Sequence, residues 1–483
     1  MTIERVIKKA QEINPEIDTT IIKRAYEFAE KAHRGQTRKS GEPYIEHPLH
    51  TAFNLIQIRA DLSTIIAGIL HDVPEDTEYT IKDIKDKFGE DVANLVEGIT
   101  KLGKIKYRGI ERYRENLRKM FIAMVGDIRI VYIKFCDRLH NLRTLDALPE
   151  NKQQRIAKET IEIYAPIAGL LGIWRIKWQM EDICFKYLHP KEYKQLEYKY
   201  EIEKKSERNQ FFQRTKNVLE EELKKTNIQY EINARFKHLY SIWLKMQRKD
   251  RKFDEIYDVF ALRVIVKNIE DCYKILGIIH TIWRPIPNRF KDYIAIPKPN
   301  GYRSLHTTII GVDNKSTEFQ IKTEEMHEES LYGLQVHWNY KEEIGDKEKP
   351  GWIKEILEIQ KENKETKQLV QEITSTIFQN RIFVLSPKGD VIELPERATP
   401  IDFAYAIHTD IGNKATQALI NEKIAGLDTE LKNGDLVEII IDKNRKGPNS
   451  QWLNSAKTKH AKERIKQYSQ NKAMDKIKKM FHK

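Results

Sequence analysis

Residues 65–76 read Ile-Ile-Ala-Gly-Ile-Leu-His-Asp-Val-Pro-Glu-Asp, and this stretch decides how the first third of the chain is interpreted. An apolar run is followed by four ionisable side chains: His71, Asp72, Glu75 and Asp76. A His-Asp pair at a helix end lets two neighbouring side chains reach one divalent metal ion, for which imidazole and carboxylate are suitable ligands. His47, from an earlier helix, and Asp137, from a later one, are the further candidates for this site.

The surroundings of these residues have helical patterns. Apolar residues recur at helical spacing over 21–32, and Asp18 is placed as the N-cap of that helix. Asp137 lies in the amphipathic segment 133–142, where an acid is costly unless it is paired or bound to a metal. We therefore expect an all-α domain at residues 1–190.

Length and composition limit the class of protein. The 483 residues suggest about three domains. A hydrophobic content of 40% and a mean hydropathy of −0.63 are typical of globular domains rather than of a disordered chain. The apolar runs are far shorter than the roughly 20 residues that span a bilayer, so we expect no membrane partner. Three widely spaced cysteines form no Cys-x-x-Cys pair, which fits a reducing, cytoplasmic setting.

A second pattern follows a charge-rich helical connector and predicts an α+β domain at 191–345. Residues 260–266 and 316–323 have the composition and alternation of strands. One face of the second strand is polar and carries Glu318, Gln320 and Lys322. The loop Arg284–Arg303 interleaves five cations with tyrosines, a combination suited to phosphate groups and a nucleobase.

The last part of the chain combines a small β-rich module with a basic tail. We expect a helical linker at 346–379, the module at 380–442 and a helical tail at 443–483. From Asp442 onward there are 13 basic and 3 acidic residues, a net charge of +10, whereas the rest of the chain has a net charge of +2. Such a tail is typical of polyanion binding, although a solvated helix end would account for it equally well.

Longer motifs surround the first constellation: His33–Pro48, His71–Thr77 and Asp137–Thr144. Together they resemble the HD hydrolase domain of the long RelA/SpoT-type alarmone enzymes, which hydrolyses (p)ppGpp to GDP or GTP and pyrophosphate with Mn²⁺. The resemblance implies a set of Mn²⁺ ligands: His47, His71, Asp72 and Asp137. It implies that Glu75 and Asp76 orient or deprotonate the attacking water. It also implies nucleotide contacts by five residues: Arg38, Lys39, Ser40, Asn141 and Thr144.

The chain departs from this family at two places in the helical domain. Pro74 replaces a usual aliphatic residue, and Ala168–Gly172 differs from the usual Ala-His-Arg-Leu-Gly. A proline lacks an N–H and restricts the residue before it. In the first turn of a helix it would leave Glu75 and Asp76 unaffected, whereas elsewhere it would shift them.

The second domain also carries longer motifs: Arg235–Ser241, Phe253–Asp258, Arg289–Ile294, Pro297–Thr308 and Glu318–Thr323. They resemble the synthetase domain of the same family, a nucleotidyltransferase-like fold that moves the β,γ-pyrophosphate of ATP to the 3′-hydroxyl of GDP or GTP. The resemblance implies that Asp258 and Glu318 bind Mg²⁺, that Glu318 is the general base, and that Tyr302 stacks on guanine. It implies further contacts to ATP, phosphates or guanine by Arg235, Lys237, Ser241, Lys245, Arg263, Lys291, Lys298, Asn300, His306, Gln320 and Lys322.

Two departures lie in the synthetase motifs. Ala234 replaces the usual glycine, and Lys322 replaces an arginine, which removes bidentate phosphate geometry and predicts a reduced synthetase rate. The basic segment Arg289–Asp292 has the form seen in bifunctional members. Our leading hypothesis is therefore a bifunctional enzyme. The alternatives are a hydrolase-dominant enzyme with a weak synthetase, and a tRNA- or ribosome-binding regulator with silent catalytic folds.

The β-rich module carries a third set of motifs: 387–390, 398–409 and 431–435. They resemble the small, β-grasp-like TGS domain, which in this family contacts the 3′ end of uncharged tRNA with the position of His408 involved. The resemblance implies uncharged tRNA and the ribosome as partners. The family's later helical, zinc-finger and ACT-like domains are not expected, because only 41 residues follow Asp442.

Overall fold

The computed structural model describes residues 1–103, 126–205, 207–249, 260–287, 289–298, 301–312, 316–332 and 381–470, without 388, 389, 433, 443, 446 and 459, together with residues 119, 120, 123 and 253. The chain divides into two units, Met1–Ile373 and Thr374–Lys483. The predicted order of an all-α part, an α+β part and a small β part is confirmed. The predicted linker at 346–379 lies outside the described residues.

The first part of unit one is helical, as predicted. Its α-helices are α1 (Ile3–Ile13), α2 (Thr19–Ala32), α3 (Glu46–Gln57), α4 (Leu62–Leu70), α5 (Val73–Asp76), α6 (Ile81–Phe88), α7 (Glu90–Gly103), α8 (Ile128–Arg143), α9 (Glu150–Glu159), α10 (Ala165–Leu170), α11 (Trp174–Leu188), α12 (Pro190–Lys205) and α13 (Glu207–Leu223). A 3₁₀ turn spans Leu145–Ala147 and a π-helical turn spans Thr160–Tyr164.

Helix α4 is the centre of this helical domain. Its residues from Thr64 to Leu70 are all buried, because α2, α3, α7 and α8 pack around it. The predicted N-cap is present at α2, where the Asp18 carboxylate accepts a hydrogen bond from the Thr20 N–H at 2.9 Å. Pro74 occupies the first turn of α5, where a missing N–H costs no hydrogen bond. The apolar run therefore leads directly into the acidic turn at Glu75 and Asp76.

The second part of unit one is built on a five-stranded sheet in the order β1-β2-β5-β4-β3, in which only the β2–β5 pair is parallel. Its elements are β1 (Tyr230–Phe236), α14 (Leu239–Lys249), β2 (Phe260–Val266), α15 (Ile269–Ile282), β3 (Lys291–Asp292), β4 (Leu305–Ile310), β5 (Ser316–Thr323) and α16 (Glu324–Tyr332). Apolar residues of β2 and β5 pack on α15, and the opposite sheet face carries the polar side chains.

Unit two contains two small sheets, β6-β7 and β10-β8-β9. Its elements are β6 (Arg381–Leu385), β7 (Val391–Pro395), α17 (Pro400–Ile407), α18 (Thr409–Lys414), β8 (Ala415–Ile420), β9 (Lys423–Ala425), β10 (Val437–Ile441) and α19 (Trp452–Ser455).

The first part of the predicted basic tail belongs to the core of unit two. Ala456, Ala461 and Ile465 are buried against residues of α17. The buried Asp402 carboxylate accepts hydrogen bonds from the backbone N–H groups of Lys457 at 2.9 Å and of Thr458 at 2.7 Å. Residues up to at least 465 are therefore structural, whereas 471–483 lie outside the described residues. Within the described residues, no helix has both the length and the hydropathy needed to cross a bilayer.

Candidate active sites

The helical domain brings the predicted metal ligands together from three elements. His47 lies on α3, His71 and Asp72 follow α4, and Asp137 lies on α8. Nε2 of His47 lies 3.5 Å from Oδ2 of Asp72 and 3.3 Å from Oδ1 of Asp137, and Nε2 of His71 lies 3.2 Å from Oδ1 of Asp72. One ligand atom from each of His47, His71 and Asp137 lies within 4.8 Å of the others, a spacing that suits a single cation.

The donor set fits a divalent metal ion. Nδ1 of His71 lies 2.9 Å from the Gly68 carbonyl oxygen, so this nitrogen carries the proton and donates it. The other ring nitrogen, Nε2, is buried and has no hydrogen-bond partner among the described residues. It faces the Asp72 carboxylate, and a lone pair facing a carboxylate is repelled unless a cation lies between them. Two imidazoles and two carboxylates suit Mn, Fe, Zn or Mg, so the donor set alone does not select the metal.

Electrostatics keep the carboxylates of this site ionised, as metal binding requires. Burial opposes ionisation of Asp137, but Lys134, whose Nζ lies 2.8 Å from Oδ2, and His47 hold its pKa well below the usual value. Burial likewise opposes ionisation of Asp72, and His71 and His47 lower its pKa nevertheless. Burial also lowers the pKa of His47, so its ring is available as a neutral ligand.

The two acids predicted to handle the attacking water lie on α5, beside the ligands. The Tyr44 hydroxyl lies 2.6 Å from Oδ2 of Asp76 and 3.0 Å from Oδ2 of Asp72, so it ties one acid to a metal ligand. Burial, and next the charge of Asp72, raise the pKa of Glu75. A raised pKa makes a carboxylate a stronger base, which suits Glu75 to accept a proton from water.

The predicted nucleotide contacts lie around the same cluster. Arg38 donates through Nη2 to Oδ1 of Asn141 at 2.6 Å, and Asn141 donates through Nδ2 to Oδ1 of Asp137 at 2.5 Å. Lys39 and Ser40 are exposed in the loop between α2 and α3, and Thr144 caps the end of α8. Arg38 and Asn141 are thereby linked to the predicted metal ligand Asp137.

Three residues of this site received no role from the sequence: Tyr44, Lys134 and His140. Tyr44 and His140 lie inside the motifs that carry the family resemblance. Lys134 lies three residues before Asp137, and this helical spacing between a cation and a buried acid was the available signal.

The polar face of the sheet forms a second candidate site. The strand register places Gln320 opposite both Arg263 and His306. Arg235 donates to Oε1 of Gln320 at 2.6 Å, and Gln320 donates through Nε2 to Oε1 of Glu318 at 2.9 Å. Nδ1 of His306 lies 3.3 Å from the same Glu318 oxygen. Glu318 is therefore positioned from both sides.

Desolvated cations lie near this acid. Nζ of Lys322 lies 3.4 Å from the Tyr302 hydroxyl, and Nζ of Lys298 lies 5.0 Å from the centre of the Tyr302 ring. Burial, and next the charge of Lys291, lower the pKa of Lys298 to about 8. Burial, followed by the charge of Arg263, holds the pKa of Lys322 well below its usual value. A cluster in which positive charges depress each other's pKa values is suited to a polyanion.

A pocket of about 540 Å³ adjoins this face. It is lined by Arg235, Arg263, Tyr302 and Lys322 from the sheet domain and by Trp174 and Trp178 from α11. Its volume is within the range of small-molecule sites. Ala234, which replaces the usual glycine, also lines it.

The remaining predicted residues lie elsewhere or are not described. Lys237, Ser241 and Lys245 are on or just before α14 and do not line this pocket, and Lys291 on β3 pairs in register with His306. Asp258 and Asn300 lie outside the described residues. In unit two the His408 side chain is 65% exposed, and its Nδ1 accepts the Asp410 N–H at 3.2 Å.

The fold and the sites define a multidomain protein. Its helical domain carries a cluster suited to a metal ion, its α+β domain carries a cationic sheet face suited to a nucleotide, and a small β domain follows. Three families match the chain in the same order. The HD domain matches residues 25–174, the region found in RelA/SpoT proteins matches 234–345, and the TGS domain matches 382–441. The predicted fold class is thereby confirmed.

Curated relatives cover nearly the whole chain. It is 46% identical, over 92% of its length, to a protein of Aquifex aeolicus named guanosine-3′,5′-bis(diphosphate) 3′-pyrophosphohydrolase. It is 43% identical, over 98%, to the GTP pyrophosphokinase of Myxococcus xanthus. It is 42% identical, over 95%, to the bifunctional (p)ppGpp synthase/hydrolase SpoT of Escherichia coli. The chain belongs to the long RelA/SpoT-type family, and it spans 64%, 63% and 66% of the length of these relatives.

Proposed function

We propose that the protein is a bifunctional alarmone enzyme of the stringent response. It would make (p)ppGpp from ATP and GDP or GTP, and it would hydrolyse (p)ppGpp to GDP or GTP and pyrophosphate. The observation that carries the proposal is the presence, in one chain, of an acid-rich cluster suited to a metal and a cation-rich face suited to a polyphosphate. Relatives named for each activity and for both support it.

In the hydrolase reaction, His47, His71, Asp72 and Asp137 would hold Mn²⁺. Bound there, Mn²⁺ would supply Lewis-acid chemistry that lowers the pKa of a bound water. Glu75, with its raised pKa, accepts a proton from the attacking water, and Asp76 orients that water. The water oxygen bonds to the phosphorus on O3′, the P–O3′ bond breaks, and O3′ leaves with the electron pair and takes up a proton. Arg38 and Lys39 bind the phosphates.

In the synthetase reaction, Glu318 accepts the proton of the 3′-hydroxyl of GDP or GTP. The 3′ oxygen bonds to the β-phosphorus of ATP, the bond to the α–β bridging oxygen breaks, and AMP leaves. Mg²⁺, held by Glu318 and Asp258, would neutralise charge between these carboxylates and the polyphosphate. Arg235, Arg263 and Lys298 bind the phosphates, and the charge that develops on them in the transition state is stabilised by these desolvated cations.

A hydrolase-dominant enzyme is the second candidate, and Lys322 favours it. This side chain is 1% exposed and its Nζ contacts Tyr302 and Ser330, so it reaches phosphate less freely than an arginine fork would. In that case synthesis would be measurable but slow, while hydrolysis would proceed at full rate.

A paired assay tests these proposals. One reaction contains labelled ATP, GDP and Mg²⁺, and the other contains labelled ppGpp and Mn²⁺. Formation of AMP with ppGpp in the first and of pyrophosphate in the second supports the bifunctional enzyme. Hydrolysis with only slow synthesis supports the second candidate. Turnover in neither would leave the regulator with silent catalytic folds as the remaining interpretation.

Unit two supports a partner that contains RNA, since the TGS domain and the basic tail both suit nucleotide or RNA-related binding. We propose uncharged tRNA and the ribosome, with His408 at the tRNA 3′ end, and a location in the cytoplasm. Removing residues 471–483 deletes five lysines and one aspartate but keeps the packed residues before them. The salt dependence of tRNA binding should then weaken, by a slope of up to about 3 in log–log units. An unchanged slope, with His408→Ala also silent, would contradict this role.

A further inference from the structure

His140 lies against the candidate metal centre without being one of its ligands. It is on α8 and 2% exposed. Its Nδ1 lies 2.8 Å from Nδ1 of His47 and 3.0 Å from Nη1 of Arg38. The ring of His50 stacks on it with centroids 4.4 Å apart. One ring nitrogen of His140 therefore meets two nitrogen atoms at hydrogen-bonding distance.

The chemistry of arginine decides which of these nitrogens carry protons. A guanidinium has five N–H donors and no acceptor, so Nδ1 of His140 must be the acceptor and its proton must be on Nε2. Because Nδ1 of His140 is an acceptor, Nδ1 of His47 must carry a proton and donate it. Nε2 of His47 is then the only nitrogen of that ring that is able to present a lone pair, and it faces Asp72 and Asp137 at 3.5 and 3.3 Å.

We propose that His140 is a positioning residue of the metal centre: it fixes the tautomer and ring orientation in which His47 presents Nε2 to the metal. The inference rests on the proposed metal-dependent hydrolase. The other branch of the Arg38 fork reaches Asn141, which donates to Asp137, so one guanidinium steadies two ligands from opposite sides. Removing such an outer partner typically costs 10- to 100-fold in metal affinity.

The test is a Mn²⁺ titration of the nucleotide-free protein, in which the electron paramagnetic resonance signal of free Mn²⁺ measures how much metal remains unbound. His140→Leu keeps the bulk and removes the acceptor, so Mn²⁺ affinity should fall roughly 10- to 100-fold. His140→Asn places an amide oxygen near the position of Nδ1 and should restore most of that loss. The matched control is His50→Phe, which keeps the stacking on His140 and should bind Mn²⁺ like the wild type.

The outcomes separate this inference from the proposal it rests on. Equal affinities of wild type and His140→Leu overturn the inference and leave the hydrolase proposal intact. Failure of His140→Asn to bind better than His140→Leu overturns the acceptor role. A wild-type protein that binds no Mn²⁺ overturns the metal centre and the inference with it. Should His140→Leu not fold, the ring ¹⁵N shifts of His47 in metal-free wild type decide: an unprotonated Nδ1 overturns the inference.

Discussion

The helical site and the sheet site have opposite electrostatic character. The helical site gathers carboxylates and imidazoles, and a cation beside it, Lys134, is paired with Asp137. The sheet site gathers several cations near Glu318. The first is complementary to a metal ion and the second to a polyphosphate. We therefore propose that the two reactions use sites of opposite electrostatic character: the hydrolase site binds a cation and the synthetase site binds a polyanion.

The largest expected effect is that of Asp72→Asn on hydrolysis. The Asp72 carboxylate faces Nε2 of both His47 and His71, so an amide there would remove one negatively charged ligand of the proposed metal centre. The metal supplies several kcal/mol of transition-state stabilisation, so hydrolysis should fall by about 10⁴-fold. The measurement is release of labelled pyrophosphate from ppGpp at saturating Mn²⁺.

The control for Asp72→Asn is synthesis by the same variant, which should keep the wild-type rate. Hydrolysis that survives this substitution would show that the acid-rich cluster is not the metal centre. A parallel loss of synthesis would show that the helical site and the sheet site do not act independently.

The next largest effect is that of Glu318→Gln on synthesis. Glutamine keeps the size and the hydrogen bond to Gln320 but does not accept the proton of the 3′-hydroxyl. Loss of a general base costs about 10²- to 10⁴-fold, so AMP formation should fall by roughly 10³-fold. Pyrophosphate release from ppGpp by the same variant should be unchanged. Robust synthesis by Glu318→Gln would show that Glu318 is not the general base of the proposed synthetase site.

The sequence predicted the parts of both sites that local pattern encodes. The alternation of 316–323 predicted which side chains share the polar sheet face, and the observed strand β5 has those bounds. The acidic turn after α4 followed from the apolar run before it. His140 escaped prediction because its role depends on how α8 packs on α3, and its partner His47 is 93 residues away in the chain.

The basic tail shows where prediction from local sequence pattern fails. Charge dominates its composition, so it was predicted as a separate helical extension. Ala456 and Ala461 are small and widely spaced, and such residues give little periodic signal, yet both are buried in the core of unit two. The anchor of this segment, Asp402, lies 55 residues earlier, which no local pattern reveals.

A smaller effect should separate the sites by pH. With the pKa of Lys298 lowered to about 8, this ammonium is present at pH 7 and largely lost at pH 9. Bound phosphate favours the protonated form, so the KM for nucleotide in synthesis should rise as pH passes 8, by up to about tenfold at pH 9. The Lys298→Arg variant stays charged and should show a flatter profile. A steep rise that persists in this variant would assign the titration to another group.

The smallest effect concerns the contact between the two halves of unit one. Arg59, which follows the helix that carries His47, lies 2.7 Å from Oε1 of Glu328 on α16, the helix whose Ser330 contacts Lys322. Both side chains are about 40% exposed, and exposed pairs are typically worth 0.2–1 kcal/mol. Arg59→Ala should therefore lower the unfolding free energy by less than about 1 kcal/mol and leave both reactions nearly unchanged. A double-mutant cycle with Glu328→Ala measures the coupling. Arg59→Ala could instead raise one activity while lowering the other. Because an exposed ion pair has too little energy to change both rates directly, that result would show that this contact couples the helical site to the sheet site.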